Sequence, residues 1–371
     1  AVPARLVEGS AMSGRTQVPQ AAPELPERAA LAAEAPWLAA QRAQLLAQRG
    51  HAWLLQGPSG LGQYELALSL AAAWLCEAPD AVRGACGQCA SCHAIAVRTH
   101  ADLCVLLPET EMLARGWPLP DKAQADIDDK KRKPSREIRV EAMRDAIEFS
   151  QRTSARGRGK AVLVYPAEHM NSVTANALLK TLEEPPGDCR FVLASEAAHL
   201  LLPTIRSRCL GHTLHWPQPQ QALAWLQTQG LSAEEAQAQL RAAGGRAQDA
   251  LERAQAGRST RAWAQLPQAL ARGEVAALAD YSPPQAVDAL QKLCHDLLAH
   301  ACGAAPRYFV ASDLPAAPPL AALAQWSKSL VQAARTAEHP FNAGLMLEAL
   351  VAQAQQTLHS APPQRPSKNR P

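Results

Sequence analysis

The chain has 371 residues, 47% of them apolar and 4% aromatic, and a formal net charge of +3. This length accommodates two or three domains with real cores, while so small a net charge does not by itself mark a nucleic-acid binder. No stretch approaches the roughly 18 uninterrupted apolar residues of a membrane span, and abundant alanine with few aromatics favours helices.

Residues 1–35 are rich in Pro, Ala, Ser and Gly. They lack the basic start and apolar core of a signal peptide, and are expected to be a disordered lead-in. Residues 359–371 are expected to be a loose tail, and the expected location is cytoplasmic. From 36 to 212, strand-like and helix-like segments alternate, the pattern of an α/β domain with a parallel sheet. The first predicted strand, 53–56, runs into Gly57-Pro58-Ser59-Gly60-Leu61-Gly62-Gln63-Tyr64 and then a helical stretch, 65–75. A working phosphate loop reads GxxxxGK[ST], so Gly57 and Gly62 stand in the right places. The lysine that should meet phosphate is replaced by Gln63, and the Mg²⁺-holding hydroxyl by Tyr64. Gln63 brings no positive charge, and the rigid ring of Tyr64 carries its hydroxyl too far from the loop.

Beyond that helix lie Cys76, Cys86, Cys89 and Cys92. Two consecutive C-x-x-C steps let thiolates converge from a tight loop, and Cys76 can supply a fourth corner. The spacing predicts a closed structural Zn²⁺ site, the alternative being buried free thiols; His93 is a possible substitute ligand or a surface imidazole. Cys104, Cys294 and Cys302 read as small core residues. A second strand is predicted over 102–107. The segment 108–135 follows, with Trp117-Pro118-Leu119-Pro120 and the basic run 130–133, read either as a phosphate contact or, given Asp126, Asp128 and Asp129, as a solvated insertion loop.

An amphipathic helix is expected over 138–149. Arg152, Arg156, Arg158 and Lys160 then form a denser basic loop, a better phosphate candidate. The strand predicted over 161–165 should end, in a hydrolase, on metal-binding and water-orienting acids; Tyr165 and Pro166 stand there instead, and Glu168 lies two residues on. With lysine, hydroxyl and both acids gone, no ATP hydrolysis by this chain is expected. A fourth strand is predicted over 190–194, and beyond it the pattern becomes purely helical, in short pieces over 214–256 and longer ones over 259–358.

Two strings carry a resemblance: Asn171-Ser172-Val173-Thr174-Ala175-Asn176-Ala177-Leu178-Leu179-Lys180-Thr181-Leu182-Glu183-Glu184-Pro185-Pro186, and Leu202-Pro203-Thr204-Ile205-Arg206-Ser207-Arg208-Cys209. With the cysteines and the altered loop, the chain resembles the bacterial DNA polymerase III clamp-loader subunits of the AAA+ family, of the δ′ (delta prime) kind. The resemblance implies an α/β AAA+ P-loop-type domain over 36–212, with the zinc module at 76–92. It further implies a helical lid over 213–258 and an all-α collar over 259–358. It implies a non-hydrolysing subunit of a loader that places the sliding clamp on primed DNA, with γ/τ ATPase subunits and a δ subunit as partners and no membrane. It gives Arg208 the role of an arginine finger acting in trans, against the alternative of a local ion pair, with Arg206 as the nearby competitor. It also places Ser195 at a polar sensor position that now serves only as a cap, and Gln248 where active relatives carry a γ-phosphate-sensing arginine, with Arg246 facing another side of that helix. Two other readings compete: an active motor subunit, and a stand-alone zinc-dependent nucleic-acid-binding protein.

Overall fold

A computed structural model describes residues 35–360 apart from 81, 338, 340 and 341; the expected N-terminal lead-in and most of the expected C-terminal tail lie outside the described residues. The chain enters through α1 (Pro36–Leu46), β1 (Ala52–Gln56) and α2 (Gln63–Leu75), followed by α3 (Ala90–Ala96) and β2 (Leu103–Leu106). Next come α4 (Glu109–Ala114), α5 (Asp121–Asp128), α6 (Val140–Gln151), β3 (Lys160–Val164) and α7 (Ser172–Glu183). The sheet is completed by β4 (Cys189–Ser195) and, after the short α8 (Pro203–Arg206), by β5 (Leu210–Thr213). All neighbouring strands run parallel in the order β2-β3-β4-β1-β5.

Side chains alternate across the sheet, as successive strand residues must. Trp53, Leu55, Leu163, Val192 and Ala194 face one core, which they share with Leu66 and Leu70 of α2. Ala52, Leu54, Val162, Val164, Phe191 and Leu193 face the other, against Met143 of α6 and Leu178 of α7. Burial on both faces explains why β1 and β3 read as continuous apolar runs. The edge strand β5 is mostly exposed and contains Gly211, so it carries no such run and was not expected.

Three helices follow: α9 (Pro219–Thr228), α10 (Ala233–Ala242) and α11 (Ala247–Gln255). Their Trp225, Leu226, Leu240, Ala247 and Ala250 join the α2 side of the sheet's core, and Trp225 meets Trp37 edge-on at 5.3 Å. Four longer helices then build a separate core: α12 (Thr260–Ala271), α13 (Pro283–Ala301), α14 (Leu320–Thr336) and α15 (Ala343–Leu358). Within it the fully buried Asp296 accepts the backbone N–H groups of Arg307, Tyr308 and Phe309 at 2.7–2.9 Å, which fixes the chain between α13 and α14. Among the described residues no helix is long and apolar enough to cross a membrane.

Two expectations are corrected here. The segment 108–135 is not a solvated loop. It folds into α4 and α5, buries Leu119, and encloses Glu109, which binds Arg132 (Nη2–Oε1 2.8 Å) and the Ser135 N–H (2.7 Å). Of the basic run, Arg132 pairs with Glu109 and Asp126 and Lys131 with Asp129, while Lys130 and Lys133 are exposed. Cys302 is exposed at the end of α13 rather than in a core.

Candidate functional site

The glycine loop joins β1 to α2 as a phosphate loop would, and two of its glycines are there for stereochemical reasons. Gly60 and Gly62 both have positive φ (77° and 93°). A Cβ at Gly62 would come within 2.7 Å of Leu38, and one at Gly60 would collide with the Asp249 carboxylate. Gln63 is 2% exposed, and its amide turns back on the loop, where Nε2 donates to the carbonyls of Gly57 (2.9 Å) and Pro58 (2.7 Å). The side chain that would reach for phosphate in a lysine-bearing loop therefore closes this one.

Tyr64 is buried beside Tyr165, the ring centroids 5.4 Å apart. The Trp117 indole N–H donates to the Tyr64 hydroxyl at 2.7 Å. The Arg115 guanidinium lies 4.3 Å from the Tyr64 ring centre and 5.1 Å from that of Tyr165, and pairs with Glu111 (3.0 Å) and Glu65 (3.4 Å). Tyr165 donates its hydroxyl to Glu196 at 2.7 Å. Burial raises the pKa of both phenols and of the Glu196 carboxyl, so the phenols stay neutral as hydrogen-bond donors.

From the other side, Arg246 donates to the Ser59 hydroxyl (3.2 Å) and pairs with Asp249 (2.8 Å). Arg246 thus faces the loop, contrary to the expectation that it points elsewhere. It precedes α11 as its N-cap rather than lying within it, so the helical-face argument does not apply. Gln248 is half-buried on α11. Ser195 is fully buried and accepts the Ala197 N–H at 3.3 Å, a turn-stabilising contact, while Glu168 accepts the Glu196 N–H at 2.9 Å.

The four cysteines form a second site. Cys76 caps the end of α2 and Cys89 the start of α3, and all four Sγ atoms lie within 4.8 Å of one another. Zn–S bonds of about 2.3 Å set tetrahedral S–S edges of about 3.8 Å. The observed separations are 3.8 Å for Cys76–Cys89, 3.9 Å for Cys86–Cys92 and 3.7 Å for Cys76–Cys92. The N–H groups of Gln88 and Cys89 point at Cys86 Sγ (3.5 and 3.4 Å) and pull its pKa down to about 6. Backbone donors aimed at sulfur favour thiolates, so the donor set fits a tetrahedral metal ion such as zinc. His93 is exposed and outside the cluster.

Arg208 follows α8 and is partly exposed. Its Nε and Nη2 donate to Glu183 Oε1, the former at 2.5 Å, and its Nη1 to the Thr204 carbonyl at 2.9 Å. Arg206 is exposed, and its side chain makes no hydrogen bond or ion pair among the described residues. The basic loop proposed for phosphate is largely committed elsewhere, which corrects that reading. Lys160 is 6% exposed, faces Asp102 at 3.5 Å and lies 3.9 Å from the Phe149 ring centre. Arg156 pairs with Glu77 (2.9 Å) and Arg152 with Glu148 (2.6 Å).

Residues 39–217 match the family model described as DNA polymerase III, delta subunit. Over 176 residues the chain is 41% identical to the DNA polymerase III subunit delta′ of Pseudomonas aeruginosa, covering 47% of this chain and 46% of that one. The corresponding identity to subunit delta′ of Escherichia coli is 34% over 176 residues, with the same shares. This segment resembles the DNA polymerase III δ′ subunits. The chain spans less than half the length of these relatives. A 160-residue stretch is also 33% identical to the tau subunit of Salmonella typhimurium, covering 43% of this chain and 21% of that one. Among solved structures, a DNA polymerase III gamma subunit-related protein of Thermotoga maritima aligns over 86% of this chain and 99% of that one, at 16% identity and a TM-score of 0.46.

The matched segment, with its five-stranded parallel sheet and glycine loop, is an α/β domain, and helical elements follow it. Sequence reasoning missed three contributors to its glycine-loop region. Arg115 and Trp117 come from the segment 108–135, whose only signal was the apolar string 117–120 in charged surroundings. Asp249 was hidden behind the attention given to Gln248.

Proposed function

We propose that this chain is a non-hydrolysing δ′-type subunit of a DNA polymerase III clamp loader, working beside γ/τ-type ATPase subunits and a δ subunit to place a sliding clamp on primed DNA. The observation that carries the non-hydrolysing part is the closed loop. Gln63 ties off the Gly57 and Pro58 carbonyls, and Tyr64, Tyr165, Arg115 and Trp117 pack where metal-bound phosphate chemistry needs a lysine, a small hydroxyl and two acids. In this reading, Arg208 supplies its guanidinium to a neighbouring subunit's phosphates. Its present partner does not prevent that: a partly exposed Arg–Glu pair contributes about 0–1 kcal/mol, so exchanging Glu183 for a phosphate costs little. Cys76, Cys86, Cys89 and Cys92 hold one structural Zn²⁺ and take no part in ATP chemistry.

Equilibrium titration of the isolated chain with a fluorescent ATP analogue tests the loop reading. No binding up to the high micromolar range is expected, and micromolar affinity with turnover would return the chain to the motor class. Native mass spectrometry after mixing with γ/τ-type and δ subunits tests the assembly, and absence of a complex would end the proposal.

A further inference from the structure

Among the described residues the Arg208 guanidinium makes three donor contacts. Nε (2.5 Å) and Nη2 donate to the same Glu183 oxygen, and Nη1 donates to the Thr204 carbonyl at 2.9 Å. A guanidinium carries five N–H groups, so one stays uncommitted on each terminal nitrogen. Both acceptors stand on anchored backbone. Glu183 is the last residue of α7, where the side chain of the preceding Leu182 is fully buried and its carbonyl accepts from His51 Nε2 at 3.0 Å. Thr204 lies in α8 beside Ile205, which is also fully buried. The place of the acid is locally unfavourable, because the C-terminal end of a helix carries the negative pole and prefers a cation. Nothing within α7 compensates it: among the described residues, Arg208 is the one side-chain partner of the Glu183 carboxylate.

We propose that Glu183 is a positioning residue for Arg208: it holds the guanidinium edge formed by Nε and Nη2, the Thr204 carbonyl holds Nη1, and the two remaining N–H groups are left for the phosphate oxygens of a neighbouring subunit's nucleotide. The inference rests on the trans-acting reading of Arg208. It adds that the guanidinium can meet a phosphate without abandoning Glu183. A free arginine ranges over many rotamers, whereas one held at two points arrives in nearly its working geometry and loses less freedom on forming a fork with phosphate. The exposed Arg206 has no such holder, and this favours Arg208 of the two.

Single-turnover phosphate release from the reconstituted complex, loaded with ATP and triggered with primed DNA, tests it. Arg208→Ala should slow one phase by roughly 10³-fold. Glu183→Ala should slow the same phase about fivefold, the most that a partly exposed ion pair can contribute, and leave the thermal midpoint of the chain unchanged. Glu183→Gln, which keeps the reach and one acceptor oxygen but not the charge, should fall between Glu183→Ala and wild type. In the Arg208→Ala background, Glu183→Ala should slow nothing further, because a residue that acts through the guanidinium has no effect once the guanidinium is gone. A Glu183→Ala phase within about twofold of wild type, beside a slow Arg208→Ala, would overturn this inference alone. So would an equal slowing by Glu183→Ala in both backgrounds, which a merely structural acid would give. If Arg208→Ala itself releases phosphate at the wild-type rate, the trans-acting reading fails and Glu183 has nothing to position.

Discussion

Replacing Asp102 with Asn should be among the most damaging conservative changes in the α/β domain. Asp102 is fully buried just before β2. Its carboxylate accepts the N–H groups of Ala155 (2.7 Å) and Arg156 (2.9 Å) and the Ser154 hydroxyl (3.1 Å), and it faces Lys160 at 3.5 Å. Burial opposes ionisation, but these donors and the Lys160 charge outweigh it and hold the carboxyl below its ordinary value. The asparagine amide keeps one acceptor oxygen and turns an NH₂ toward a backbone N–H, of Ala155 or Arg156, that cannot accept. Hydrogen bonds to charged groups contribute about 1.5–3 kcal/mol each, and removing one partner of a buried pair costs about 3–5 kcal/mol. These overlap, so the expected loss is about 3–5 kcal/mol in all. With a urea slope near 2 kcal/mol/M, the midpoint should fall by roughly 1.5–2.5 M, read from tryptophan fluorescence of Trp53 and Trp74 in the same domain. Lys160→Met should cost less than half as much, because Asp102 retains its other donors. Since the folded carboxyl titrates below the unfolded one, its stabilisation is complete above about pH 4 and is lost as pH falls through the folded value. The Asn variant should lack that acid limb. A midpoint within 0.5 M of wild type (about 1 kcal/mol), or a Met variant worse than the Asn variant, would refute the reasoning.

Metal analysis of purified protein should give about one zinc per chain, as a closed four-thiolate site requires, and Cys89→Ser should lose it; full zinc content in that variant would sink the assignment. Gln63→Lys should produce no ATPase activity in the isolated chain, because the hydroxyl and both acids are still missing and Tyr64 and Tyr165 still fill the space; measurable turnover by a phosphate-release assay would count against the closed-loop reading. In a reconstituted complex, Arg208→Ala should lower the DNA-stimulated ATPase, by roughly 10³-fold or more at its own site, while leaving zinc content and thermal midpoint unchanged. Arg206→Ala is the positional control, and the reverse ranking would show the wrong arginine was chosen.

Four of the five strands were legible because buried parallel strands announce themselves as short apolar runs, as in 161–164. The edge strand β5 was not, since Leu210–Thr213 is mostly exposed and has no run to read. The cysteine cluster was legible from spacing alone, because ligands on a tight loop must be close in sequence. The surroundings of the nucleotide loop were not, because Arg115, Trp117 and Arg246 reach it from 50 or more residues away, and single-chain periodicity carries no long-range contact. The basic residues 152–160 misled for a related reason: Glu77 and Asp102, the acids that neutralise Arg156 and Lys160, are equally remote in sequence.

The cysteine loop is wired into the sheet. Glu77, next to Cys76, accepts the Ser91 N–H (3.2 Å) and hydroxyl (3.1 Å) and the Arg156 guanidinium (2.9 Å), and the Arg156 N–H in turn donates to Asp102. A chelator acting on the four thiols would therefore loosen a relay that ends inside the β2–β3 layer. Spectroscopic probes at residues 154–156 should register removal of the proposed zinc although none of those residues belongs to the cysteine cluster.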